Sequence, residues 1–221
     1  MPPRLILLPN LLDEELSIAP FLPSSLADTI KLLTGLYCES EKAARRYLLR
    51  FITREAMQSI ELRLLNEHTQ ELYLPSHGVW GVLSDAGLPC IADPGANLVA
   101  LCHQRQIRVE TVPGPSSILM ALQLSGLSGQ SFTFHGYLPR EKELLAKALQ
   151  GFEKKRTHLF IETPYRNGAL FSACIEHLKG TLCLAIALTT AREKVLVHSI
   201  ADWRRLSFIP PKEPTVFVYF D

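Results

Sequence analysis

Short apolar runs and amphipathic stretches alternate along most of this chain. Arg4–Leu8 is an apolar run stopped by Pro9 and Asn10, which predicts a buried first strand. Leu36–Glu39, Val79–Leu83, Ile107–Val112, Phe132–Tyr137, Thr157–Ile161 and Thr181–Leu188 have the same short, bounded character, and Ser59–Leu65 alternates weakly. Between them, Ser25–Leu33, Glu41–Ile52, Ala96–Gln104, Ser116–Leu124, Arg140–Phe152 and Tyr165–Leu178 space their apolar positions as helices do. In Glu41–Ile52 those positions are Ala44, Leu48 and Phe51. Residues 11–25 read as loop punctuated by Pro and Ser. Lys194–Ile200 and Pro214–Phe220 close the chain on strands. Helices thin out toward the end, so the expected fold class is α/β with two sheets. The pattern changes near Val112–Pro115, which sets the expected domains at 1–113 and 114–221.

Eight of the twelve glycines fall between Gly78 and Gly136, and they mark two loop signatures. One is Leu83-Ser84-Asp85-Ala86-Gly87-Leu88-Pro89-Cys90-Ile91-Ala92-Asp93-Pro94-Gly95. The other is Val112-Pro113-Gly114-Pro115-Ser116-Ser117. Each follows a strand and precedes a helix. Glycine lets backbone approach a ligand closely, and ligands of open α/β sheets bind outside the carboxyl ends of the strands. In the second signature Pro115 suits a first helical position and Ser116 or Ser117 a cap. A helix start there is either an anion site or a plain turn. In the first signature Asp85 or Asp93 can accept hydrogen bonds from a ribose or an amino group; alternatively both stabilise turns through their own backbones, a role that suits Asp93, before Pro94, and Asp85 less well. Glu162 ends an apolar strand, and Arg166 lies in the first turn of the next helix. A cation there opposes the helix dipole, so Arg166 pairs with Glu162 or with a ligand.

Composition narrows the field. The chain has 221 residues, 47% hydrophobic and 20% charged, enough for a sizeable core. A formal net charge of +1 gives no general pull toward nucleic acid or anionic membrane. Five cysteines without a C-x-x-C pair predict free buried thiols in a reducing compartment, hence a cytoplasmic protein. The apolar run near the N-terminus is too short for a signal peptide, and no run approaches the roughly 18 apolar residues of a membrane span. The seven histidines lack metal-site spacing, so no metal is expected; His135, on an apolar strand, reads as a satisfied core residue. Arg45-Arg46 with Arg50 and Arg54, Lys154-Lys155-Arg156, and Arg204-Arg205 read as solvated faces, with phosphate contact as the alternative.

Five segments in order carry a resemblance: Leu83–Gly95, Pro113–Ser117, Ser125-Gly126-Leu127, Phe134–Arg140 and Glu162–Arg166. Together they resemble the tetrapyrrole methylase superfamily, and most of all its ribosomal RNA small-subunit methyltransferase I branch, which methylates a cytidine 2′-hydroxyl. The resemblance implies two α/β domains with S-adenosylmethionine in the cleft between them, and a homodimer. It implies that Ser84, Asp85, Ala86, Gly87, Pro113, Gly114, Ser116 and Ser117 line the cofactor site. It adds backbone contacts near Leu138 and Thr215, and places Glu39, His68, Glu162 and Arg166 toward the cleft. Acceptor deprotonation calls for a carboxylate or histidine; Glu39, Asp85 and His68 are the candidates, with Glu39 and Asp85 assigned to catalysis and His68, Glu162 and Arg166 to the substrate side.

The chain also departs from that branch. The branch has a Thr-Pro-x-Gly-Asn loop after its first strand, whereas Leu8-Pro9-Asn10-Leu11-Leu12-Asp13 has no glycine. Glu39-Ser40-Glu41-Lys42 stands where the branch has Glu-Asp-Thr-Arg. Both differences fall where the branch meets its acceptor. Three readings follow: an RNA methyltransferase, a methyltransferase of a tetrapyrrole or other small molecule, and a cofactor-binding protein without methyl transfer.

Overall fold

Parallel strands buried on both faces need near-continuous apolar runs, and the first sheet obeys that rule in a computed structural model describing residues 2–69 and 71–221. Strands β1 (Arg4–Leu8), β2 (Gly35–Cys38), β3 (Glu61–Leu64), β4 (Val79–Leu83) and β5 (Arg108–Thr111) pair in the order β3-β2-β4-β1-β5, all parallel. The three central strands are the most apolar and the most buried; β3 and β5, at the edges, are half exposed.

Successive side chains point to opposite faces of a strand. Ile6, Leu8, Leu36, Cys38 and Leu83 face helices α1 (Leu26–Lys31), α2 (Glu41–Leu48) and α3 (Arg54–Gln58). Leu5, Tyr37, Trp80 and Val82 face α4 (Ala96–Gln104) through Leu98 and Cys102. The connection from β1 to β2 therefore crosses one face, and that from β4 to β5 crosses the other, in the opposite direction. Neighbours β1 and β4 thus form a topological switch point, the place where open α/β sheets bind ligands.

The expected helix over 41–52 ends early, and a further short helix follows it. α2 ends at Leu48, and Thr53 opens α3 by accepting the Ala56 N–H. Phe51 still packs against Tyr47 from the intervening turn, ring centroids 5.2 Å apart. α3 buries only Met57, so it leaves no periodic signal.

The chain divides into two compact units, Met1–Ser116 and Ser117–Asp221. In the second, β6 (Phe132–Tyr137), β7 (Thr157–Glu162), β8 (Thr181–Ile186), β9 (Lys194–Ser199) and β10 (Thr215–Phe220) pair in the order β6-β7-β10-β8-β9. Only β6 and β7 run parallel. Helices α6 (Lys142–Gln150), α7 (Asn167–His177) and α8 (Ile200–Trp203) share a core with Phe160, Leu182, Leu184 and Phe217, and α5 (Ser117–Ser125) packs on β8, β9 and β10. The helix expected from Tyr165 begins instead as a 3₁₀ turn, Pro164–Arg166, with Pro in its favoured first position.

His135 lies at a bulge in β6, before Gly136 at φ +64°. Its Nε2 meets His158 Nδ1 at 2.8 Å, and His158 Nε2 donates to the Glu153 carbonyl at 2.8 Å. A carbonyl only accepts, so neutral His158 carries its proton on Nε2 and His135 donates to it. All five cysteines are free thiols, four of them buried. Among the described residues no helix is long and apolar enough to cross a membrane.

Gly114 packs so tightly on Pro9 that a Cβ would overlap the proline ring. Gly114→Ala should therefore destabilise the chain by about 1–3 kcal/mol, the usual cost of overpacking. Urea unfolding at constant m-value checks this; an unchanged midpoint would mean that the approach is not tight.

Candidate functional site

Three loops leave the carboxyl ends of β4, β1 and β5, side by side because those strands are adjacent. Asn10 joins the first two. Its Nδ2 donates to the carbonyls of Ser84 and Asp85, both at 3.0 Å. Its backbone N–H donates to the Gly87 carbonyl at 2.7 Å, and Gly87 N–H returns a bond to Leu11 at 3.2 Å. Asn10 Oδ1 accepts the Leu11 N–H, which fixes the amide. Gly87 stands at φ +67° with Leu12 and the Pro115 carbonyl close by, so only glycine fits without strain. Gly114 closes the third loop onto Pro9, and Tyr47 donates its hydroxyl to the Pro9 carbonyl at 2.9 Å.

Carboxylates collect on this edge. Glu39, directly after β2, accepts the Asp85 N–H at 3.1 Å. Burial pushes the Glu39 carboxyl above its ordinary value, opposed by that hydrogen bond. Asp93 is raised to about 6, first by burial and then by the Glu39 charge, with the Ser84 hydroxyl working the other way. Asp85 itself is exposed. The segment carrying Asp93 is strained: Cys90 and Ala92 hold φ +69° and +62° without being glycine, and Gly95 follows at +128°. Such conformations cost energy and collect at functional sites. Burial and Asp93 raise the Cys90 thiol, which makes it a poor nucleophile.

The second unit holds a polar group of its own. Glu162, at the end of β7, is buried. Its Oε2 accepts from Arg166 Nε at 2.9 Å and its Oε1 from Thr163 N–H at 2.8 Å. Of the two partners open to Arg166, the structure supplies the carboxylate. Thr215 lies opposite Glu162 in the β7–β10 register. Fully buried Asn167 donates through Nδ2 to the carbonyls of Pro211 (3.2 Å) and Glu213 (2.8 Å) and to the Thr215 hydroxyl (3.2 Å). Its Oδ1, also buried, has no partner among the described residues.

The expected residues thus fall into separate sets. Glu39, Ser84, Asp85, Ala86, Gly87, Pro113, Gly114 and Ser116 belong to the loops at the edge of the first sheet. Glu162, Arg166 and Thr215 adjoin one another in the second unit, where Leu138 packs into the core and Ser117 opens α5. His68 joins neither set by any described contact: it is exposed on the turn after β3 and meets Glu67 at 3.5 Å. Along the chain Asn10 reads only as a strand stop, whereas Asp93 reads either as an acceptor for a ribose or amino group or as a turn former. Asn167 does not stand out there. Nothing in a sequence shows that an amide at position 10 meets carbonyls 74 and 75 residues away.

Known proteins resemble this chain at both levels. The profile of the family described as Tetrapyrrole (Corrin/Porphyrin) Methylases matches residues 42–203. A ribosomal RNA small subunit methyltransferase I of Mesorhizobium japonicum is 31% identical over 199 residues, covering 86% of this chain and 68% of that protein. One from Mycobacterium bovis is 39% identical over 124 residues, covering 55% of this chain and 44% of the relative. The chain spans less than half the length of the first curated relatives it matches. The structure of uroporphyrin-III-C-methyltransferase from Thermus thermophilus superposes with a TM-score of 0.54 at 15% identity, covering 100% of this chain and 94% of that one, a likeness of fold.

The raised Asp93 carboxyl has a measurable signature. Its folded value, about 6, exceeds the ordinary 3.8. The folded state therefore holds the proton more tightly, and stability rises as pH falls through 6 toward 4. Asp93→Asn should remove that dependence, so the Tm advantage of the variant over the parent shrinks from pH 8 to pH 5. A Tm difference independent of pH would refute the raised carboxyl.

Proposed function

Since this chain belongs to the tetrapyrrole (corrin/porphyrin) methylase family, on its ribosomal RNA small-subunit methyltransferase I branch, we propose that it transfers a methyl group from S-adenosylmethionine to RNA. The favoured acceptor is a 2′-hydroxyl of small-subunit ribosomal RNA. The observation that carries the reading is the edge of the first sheet. A switch point, a glycine loop fastened by Asn10, a second closed onto Pro9 by Gly114, and three carboxylates occur there together in a chain of net charge +1.

That edge suits the cofactor chemically. S-adenosylmethionine carries a sulfonium and an ammonium, and when bound it supplies an activated methyl group. Glu39, Asp85 and Asp93 present negative charge to such cations. The Ser84–Gly87 and Pro113–Ser117 turns offer close backbone approach. Asp85 keeps its side chain exposed for a hydroxyl or ammonium.

Glu39 and Asp85 are the proton acceptors in this reading. Burial makes Glu39 more basic than an ordinary glutamate, which favours taking a hydroxyl proton near neutral pH. Glu162 and Arg166 form a fixed ion pair in the second unit and serve the substrate side. His68, exposed on the turn after β3, stays on the substrate side of this reading. A homodimer and a cytoplasmic location belong to the proposal, and the free buried thiols support a reducing compartment. The reading of a binder without transfer drew only on the missing glycine after β1; Asn10 anchors that loop without one.

Calorimetric titration tests the proposal. S-adenosylmethionine should bind, with binding lost in Asp85→Ala and Gly114→Val. Affinity should fall from pH 8 to pH 5 as Asp93 takes up its proton, and S-adenosylhomocysteine, without the sulfonium charge, should weaken less. Label from methyl-tritiated cofactor should enter small-subunit ribosomal RNA. Label entering only a porphyrinoid would move the acceptor to the small-molecule reading; no binding of either cofactor form would end the methyltransferase reading.

A further inference from the structure

Residues 41–58 carry five basic side chains against two acidic ones, in a chain whose formal net charge is +1. α2 sorts them. It buries Ala44, Tyr47 and Leu48, which leaves Lys42, Arg45 and Arg46 exposed, with Arg50 and Arg54 exposed beyond its end. Ser40 caps α2 immediately after Glu39. The basic face therefore starts at the carboxyl edge of the first sheet and runs away from it for about 12 Å.

Two of these arginines hold the segment that follows Asn10. Arg50 donates to the Leu16 carbonyl at 3.1 Å and also to the Glu14 carbonyl. Arg46 meets the Glu14 carboxylate with both terminal nitrogens, at 3.2 and 2.9 Å. The two anchors differ in kind. Arg50 grips backbone, which stays where the chain puts it. Arg46 grips a side chain, and both members of that pair are more than half exposed, at 56% and 64%. Exposed pairs contribute little to folding, so Glu14 can leave at small cost. A phosphodiester offers guanidinium the same two-oxygen fork.

We propose that α2 is a docking face for the sugar-phosphate backbone of RNA, and that Glu14 is an internal competitor displaced from Arg46 by a phosphate. Lys42, Arg45 and Arg54 flank that exchange and bind further phosphates. The face carries an RNA strand toward the edge where Glu39 and Asp85 stand. The proposal rests on the RNA reading above.

Glu14→Gln and Arg46→Gln break the same ion pair, so a purely structural role moves both variants the same way. Docking sends them in opposite directions. The test measures binding of in vitro-transcribed small-subunit ribosomal RNA to the full chain across a salt series. Arg46→Gln should weaken binding about tenfold and lower the slope of log Kd against log salt by about one. Glu14→Gln should tighten binding. Calorimetry with S-adenosylmethionine should be unchanged in both. Variants that leave RNA binding alone, or shift it together, overturn the docking face while the RNA reading stands. A parent chain that binds the cofactor but no RNA overturns both. Loss of capture by phosphatidylglycerol vesicles in Arg46→Gln, with RNA binding unmoved, would reassign the face to an anionic membrane and overturn the proposal.

Discussion

The parallel pairing of β1 with β4 is the constraint from which the candidate site follows. Leu8 stands opposite Leu83, so the chain leaves both strands at the same level and on the same edge. Two loops that begin side by side can be fastened by one short side chain, and Asn10 does this with two carbonyls and a reciprocal backbone pair. A shift of one residue would also turn every side chain of β1 to the opposite face, burying the wrong set against α1 and α4. Core packing and site geometry therefore depend on a single register.

The two units hold charge differently. In the first, Glu39, Asp85 and Asp93 gather with no ion pair to a cation among the described residues, and burial raises two of them. Such a group is unfavourable for the isolated chain and suits a positive ligand. In the second, buried Glu162 has Arg166 and a backbone N–H as partners. Breaking that pair would leave a buried carboxylate unmatched. The one arrangement has unspent attraction for a ligand, whereas the other is already satisfied.

What the sequence made legible was whatever depends on local pattern. Apolar runs such as Val79–Leu83 declared the central strands, and the two glycine signatures declared the loops, because glycine takes positive φ and close backbone approach at least cost. α3 left no trace, since a five-residue helix with one buried side chain has no period to detect. Asn10 looks like an ordinary loop residue along the chain, and Asp93 suits a turn as well as it suits a ligand. Their importance comes from partners brought close by sheet topology: carbonyls beyond β4 for the first, Glu39 beyond β2 for the second. Arg45, Arg46 and Arg50 read as solvated, yet each has a partner, and only the fold brings Glu14 to Arg46.

The backbone at Cys90 and Ala92 has a consequence for how this protein can change. Both hold a left-handed conformation that glycine adopts at far lower cost. A selection for heat resistance alone would act on those two codons early, since relieving such strain is among the simplest stabilising steps. Glycine there would also widen the range of shapes open to the loop that carries Asp93. Thermal tolerance and a sharply defined carboxylate pull against each other at these two positions, and laboratory evolution under heat would expose which of them the loop has kept.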